Sequence, residues 1–136
     1  MKFIASYFQP NCENYIKSIT SILKNSVIYL NKNRYLNKEE TTLKKINFKI
    51  QNKKFILLSG SSSSNSFEKK LRKVFYKNNL PVYIFLDSLF NLRKRFTKLD
   101  LEKAFIFVND DFSKRKLLKI KFSKKNIFNY ENSFLD

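Results

Sequence analysis

The chain of 136 residues has no histidine, no tryptophan, one cysteine, one glycine and two prolines, and each shortage removes a class of chemistry. Without histidine the usual general base near neutral pH is missing, leaving only carboxylates, lysine and Cys12 to move protons. With a single cysteine no internal disulfide forms, and without histidine beside it every common Cys/His zinc arrangement is gone. Cys12 reads as a small residue near a helix start. The lone glycine excludes the three glycines of a dinucleotide loop, and since Ser61 follows Gly60 the Gly-Lys-Ser/Thr ending of a P-loop is missing too. No apolar run approaches the roughly 18–20 residues that span a bilayer, and the longest, around Leu80 to Leu86, reads as a strand. The start, Met1 to Phe8, carries neither a signal peptide's apolar core nor a transit peptide's Arg/Ser-rich pattern, so the expectation is a protein that works where it is translated.

Acidic residues are also scarce: 11 against 28 basic ones, for a net charge of +17. Self-repulsion on that scale calls for a polyanionic partner. The basic residues are 23 Lys and 5 Arg, in a chain rich in Asn, Ile and Phe with 2 Ala, and the favoured residues have A/T-rich codons. This points to an A/T-rich coding system, a mitochondrion first, with a plastid or low-GC bacterial cytoplasm as alternatives. At this length, and 43% hydrophobic, the chain builds one core rather than two.

Ile16, Ile19, Leu23, Val27 and Leu30 fall at helical spacing, predicting a helix over residues 13–30, and residues 31–44 read as a polar linker. Ile46, Phe48 and Ile50 alternate with polar residues, predicting a strand, and residues 53–58 resume extended character, as one long strand or a hairpin. The serine-rich stretch 59–66 is a loop. Asn65 and Glu68 have capping-box spacing before a helix with Phe67, Leu71, Val74 and Phe75 on one face. Pro81 opens a strand through Leu86, and Arg93 to Arg95 form a loop tip from which residues 95–101 return as an extended segment. Residues 100–108 read as a short helix, capped by Asp100, running into a strand. Leu117, Leu118, Ile120 and Phe122 read as a last strand with a basic face. No internal repeat is visible.

Strands interleaved with helices imply an α+β or α/β sandwich of helices on a sheet, with an N-terminal helical extension. The expected organisation is an extension over 1–44, an RNA-binding core over 45–123 and a tail over 124–136.

Catalysis finds little support. Glu39 with Glu40, and Asp110 with Asp111, are the only adjacent acids, and no motif supplies a third ligand for a nuclease-type Mg²⁺. No cofactor or metal is expected. Ser61 to Ser64, between a strand and a helix N-terminus, are candidates to meet a phosphate. The constellation that stands out is basic: residues 69–77, 93–98 and 114–125, each interleaved with aromatics. Phosphate neutralisation with occasional stacking is how RNA is held without base-specific chemistry. The candidate RNA-binding residues are Lys69, Lys70, Arg72, Lys73, Arg93, Lys94, Arg95, Lys114, Arg115, Lys116, Lys119 and Lys121. The competing reading makes the aromatics core and the lysines a by-product of codon usage.

From Lys53 to Phe122 the order of segments resembles the S-ten family of small-subunit ribosomal proteins. KKFILLSGSS matches that family's first strand, SFEKKLRKVFYKNNL its first helix and PVYIFLDSLFNLRKRFTKL its long-looped hairpin, with Arg95, Phe96, Thr97 and Leu99 the closest literal match. The family's Gly-Pro-rich hairpin signature is replaced here by FLDSLFN, its Ser-Pro-His segment by residues 100–103 and its Thr-His-Lys-Arg run by SKRK. The resemblance implies an α+β fold, helices packed on a mainly antiparallel, ferredoxin-like sheet, and a non-catalytic structural protein whose hairpin threads among ribosomal RNA and neighbouring ribosomal proteins, with Arg93, Lys94 and Arg95 at the contact. The alternatives are an RNA-binding protein of a different ribosomal family, or an accessory subunit of another organellar complex whose acidic neighbours absorb the charge.

Overall fold

The structure, a computed structural model, describes residues 2–7, 27–31, 39–62, 66–86 and 88–129. Residues 13–26 of the expected first helix, Ser63 to Asn65 with the expected cap, and the tail beyond Asn129 lie outside the described residues.

Three short runs, FILLS, VYIF and FIFV, are apolar without alternation, which is the pattern of strands covered on both faces. They become β3 (Phe55–Ser59), β4 (Val82–Phe85) and β5 (Phe105–Val108) of a six-stranded sheet, joined by β1 (Lys2–Tyr7), β2 (Val27–Asn31) and β6 (Ile127–Asn129). The order is β2-β1-β3-β4-β5-β6 and every neighbouring pair is parallel. Ile4 stands beside Ile28 and Leu57, and Ile84 beside Ile106.

This overturns the expected antiparallel, ferredoxin-like sheet with its N-terminal helical extension: the protein is α/β. The chain between β4 and β5 is not a hairpin tip. It contains a 3-10 turn (Leu92–Arg95) and a short helix, and a connection of that length returns the chain to run parallel to β4. Residues 2–7 are a strand hydrogen-bonded on both sides within the same sheet, and residues 27–31, the end of the expected first helix, are the edge strand beside it.

The helices are α1 (Glu39–Ile50), α2 (Ser66–Lys77), α3 (Lys98–Lys103) and α4 (Asp111–Lys119). Ile46 and Ile50 of α1, Leu71 and Phe75 of α2 and Leu117 of α4 join Ile4, Leu57, Ile84 and Ile106 in one core, so these helices cover the same side of the sheet. The opposite side carries Ala5, Leu58 and Phe85 with Phe3, Ile56, Tyr83 and Phe107. Tyr83 stacks on Phe105 and Phe107 at centroid distances of 5.0 and 5.8 Å, and Phe107 on Phe85 at 5.2 Å, an aromatic ladder across β4 and β5.

Two segments with strand-like alternation are helical. In α1, Leu43, Ile46 and Ile50 form the inward stripe while Phe48 is 81% exposed, so the alternation of residues 46–50 is accidental. In α4, Asp110 caps the helix by accepting from the Ser113 N–H at 2.7 Å, and Leu117 to Phe122 turn the chain rather than extend it. Phe122 N–H donates to Leu117 O and Lys121 N–H to Leu118 O, the paired bonds of a Schellman ending, with Lys121 at φ 71°. The same pair closes α2, where Leu80 bonds to Phe75 and Asn79 to Tyr76, with Asn79 at φ 56°. A chain with one glycine therefore puts asparagine and lysine into the left-handed region, and the lysine bears the larger steric cost. Residues 98–101, expected to be extended, belong to α3. Its cap is Thr97, which forms a reciprocal capping box with Asp100.

Candidate nucleic-acid interface

In an open parallel sheet the crevice beyond the carboxyl ends of the strands, where the order reverses, is the usual ligand position, here between β1 and β3. At the carboxyl end of β3 the described side chains form a buried polar network. Arg72, 1% exposed, reaches from α2 to donate Nε and Nη2 to both Asp100 carboxylate oxygens at 3.0 Å. Its remaining donors go to Ser59 Oγ (3.1 Å), Gly60 O (3.2 Å) and Arg95 O (2.9 Å). Tyr76 donates its hydroxyl to Asp100 at 2.6 Å. Burial, and then the adjacent Asp100 charge, push the Tyr76 phenol well above its ordinary range.

The serine loop is likewise turned inward. Ser61 and Ser62 are buried, Ser61 Oγ donates to Phe85 O at 2.9 Å, and the Ser62 N–H donates to the Glu68 carboxylate at 3.1 Å. A carboxylate from the first turn of α2 thus occupies the position an external anion would take, so the expected phosphate contact through Ser61 and Ser62 is not available.

The candidate cations separate into two groups. Arg72 and Arg95 are interior: Arg95, 2% exposed, donates Nε to Phe90 O at 2.8 Å and a terminal nitrogen to Ser61 O. Neither can serve as a phosphate ligand, which corrects their place among the candidates. Lys121 is exposed, and its backbone forms the turn that ends α4. Lys70 and Lys73 lie exposed on α2, Arg115 is exposed on α4 and Lys114 is half-buried. Lys69 donates its Nζ to Lys94 O, tying α2 to the 3-10 turn.

Four cations converge. Arg93 and Lys94 from the 3-10 turn, and Lys116 and Lys119 from α4, line one groove of about 430 Å³ with Asn91, Leu92 and Ile120. No acid is in that lining among the described residues. Lys94 and Lys116, more than twenty positions apart in sequence, thus meet in one groove, with α4 packed beside β5 and β6. Asn91, at φ 52°, starts the turn in a left-handed conformation that asparagine tolerates, and Lys94 N–H bonds back to its carbonyl at 3.0 Å.

The adjacent acids Asp110 and Asp111 have structural partners. Asp110 is occupied as a cap, and the Ser113 N–H holds its carboxyl below the usual range. Asp111 accepts from Asn129 Nδ2 at 3.0 Å. Among the described residues no three Asp, Glu or Cys side chains come together as metal ligands. A second cleft, about 210 Å³ at the ends of β4 and β5, has Leu86, Ser88, Leu89, Asn109, Asp110 and Ser113 among its described lining residues, and Asp110 there is that cap. No helix among the described residues is long and apolar enough to cross a membrane.

No protein-family model matches the chain, and no curated protein shows significant similarity to it.

Proposed function

We propose that this protein is a structural constituent of a small ribosomal subunit, most naturally that of a mitochondrion, binding ribosomal RNA without catalysis. The observation that carries the reading is the groove in which Arg93, Lys94, Lys116 and Lys119 converge, with no acid among its described lining residues. Four cations on a rigid α/β frame, in a chain of net charge +17, suit a phosphate backbone. The placement in an organelle rests on the A/T-favoured residue usage. The S-ten resemblance entails an antiparallel hairpin sheet, so the parallel topology favours a ribosomal protein of a different family. Neighbouring ribosomal proteins are the proposed second class of partner, and the half-buried aromatics Tyr83 and Phe105, on the side of the sheet opposite the described helices, offer them an apolar contact.

Sedimentation of the native protein on a sucrose gradient, repeated at high salt, tests the assignment. Co-migration with small-subunit RNA supports it. Migration with an RNA-free complex makes the accessory-subunit reading the correct one.

A further inference from the structure

Most aromatics of the basic runs are core: Phe75, Tyr76, Phe96 and Phe122 are all at most 9% exposed. Two are not. Phe90 is 74% exposed and directly precedes Asn91, the first lining residue of the basic groove. Phe112 is 51% exposed in the first turn of α4, and Lys116 Nζ, from the groove, sits 5.2 Å from its ring centre. The Phe90 backbone is held at both ends: its N–H donates to Ser88 Oγ at 3.1 Å and its carbonyl accepts from Arg95 Nε at 2.8 Å. A large apolar ring on a fixed backbone beside four cations is costly to leave in water and well placed to receive a flat partner.

We propose that Phe90 and Phe112 are stacking platforms for unpaired bases of an RNA strand whose phosphates lie along Arg93, Lys94, Lys116 and Lys119. This rests on the RNA-binding reading above and sharpens it. The bases of an A-form duplex are stacked on one another and closed to an outside ring, whereas loops, bulges and single strands offer a free π-face. Cations track the backbone and the rings take the bases, an arrangement tolerant of sequence because every base has such a face. The groove therefore selects for strandedness rather than for sequence.

The test uses the full chain, with fluorescence anisotropy on a short oligoadenylate single strand and on a blunt RNA duplex of equal phosphate number. Phe90→Ala and Phe112→Ala each weaken single-strand binding about ten-fold and leave duplex binding unchanged. Phe90→Tyr and Phe112→Tyr retain the affinity, and Phe48→Ala, at an exposed ring on α1, changes neither. Equal losses on both probes, or no loss on the single strand, overturn the stacking proposal while leaving the basic groove intact. If the unaltered protein binds neither probe, the RNA reading itself fails and takes this inference with it.

Discussion

Arg72 and Arg93 sit in adjacent basic runs and look alike in sequence, yet one is 1% exposed in a bidentate pair with Asp100 and the other lines an open groove. Taking a guanidinium out of water costs several kcal/mol, and Arg72 recovers that only because its donors meet a carboxylate, a hydroxyl and two carbonyls. Arg93 keeps its hydration and has no such network. A basic run thus mixes cations that hold the fold with cations that face a partner, and what separates them is whether an acid elsewhere in the chain lies in reach.

The strongest way to break this comparison is to remove the acid. Asp100→Ala leaves Arg72 buried and unpaired, and urea unfolding is expected to show a loss of about 3–5 kcal/mol. Arg93→Ala should change stability by less than about 0.5 kcal/mol. Similar losses for both would erase the distinction.

The complementary change acts on binding alone. Replacing Arg93, Lys94, Lys116 and Lys119 together by Ala is expected to leave the unfolding midpoint near its original value. The slope of log affinity for single-stranded RNA against log salt should become shallower by about three, from four lost phosphate contacts at roughly 0.7 each.

Tyr76 sharpens the buried half. Tyr76→Phe removes a hydrogen bond to a charged acceptor and should cost about 1.5–3 kcal/mol at neutral pH. Because the folded phenol titrates above its ordinary value, its stabilisation is fully present below about pH 10, and is lost as pH rises from there through the folded value. Unfolding measured across that window should therefore show the variant closing its gap to the unaltered protein.

Smallest are the ends of α4. Asp110→Ala should cost about 1 kcal/mol as a lost cap, read from chemical denaturation. The folded Asp110 titrates below its ordinary value, so its contribution is complete above about pH 4 and fades as pH falls through the depressed value. Lys121→Gly should stabilise by about 0.5–1 kcal/mol, since glycine occupies φ 71° without steric cost.

Legibility followed local physics. The strand at residues 55–59, the helix at 66–77 and the strands at 82–85 and 105–108 are visible because propensity and burial agree there. The sheet's direction is carried by the unbroken apolar runs, a parallel signature outweighed by the hairpin resemblance around Arg95 to Leu99. The helix at 39–50 hides behind Ile46, Phe48 and Ile50, of which Phe48 points into solvent. The helix at 111–119 is signalled by its cap, Asp110, while Leu117, Leu118, Ile120 and Phe122 imitate a strand. The strand at 2–7 has no periodic signal of its own and exists through its pairing with two neighbours. For the groove, the basic runs identify the right residue type. Only the fold brings Arg93 and Lys94 to Lys116 and Lys119, and only the fold removes Arg72 and Arg95.

Ultraviolet crosslinking of the protein in its native complex, followed by mass spectrometry of the RNA-linked peptides, addresses the division of the cations most directly. The account predicts adducts on the peptides that carry Phe90 to Lys94 and Phe112 to Lys119, with RNA of the small subunit attached. Adducts confined to other segments, or none at all from a complex that contains the protein, would contradict it.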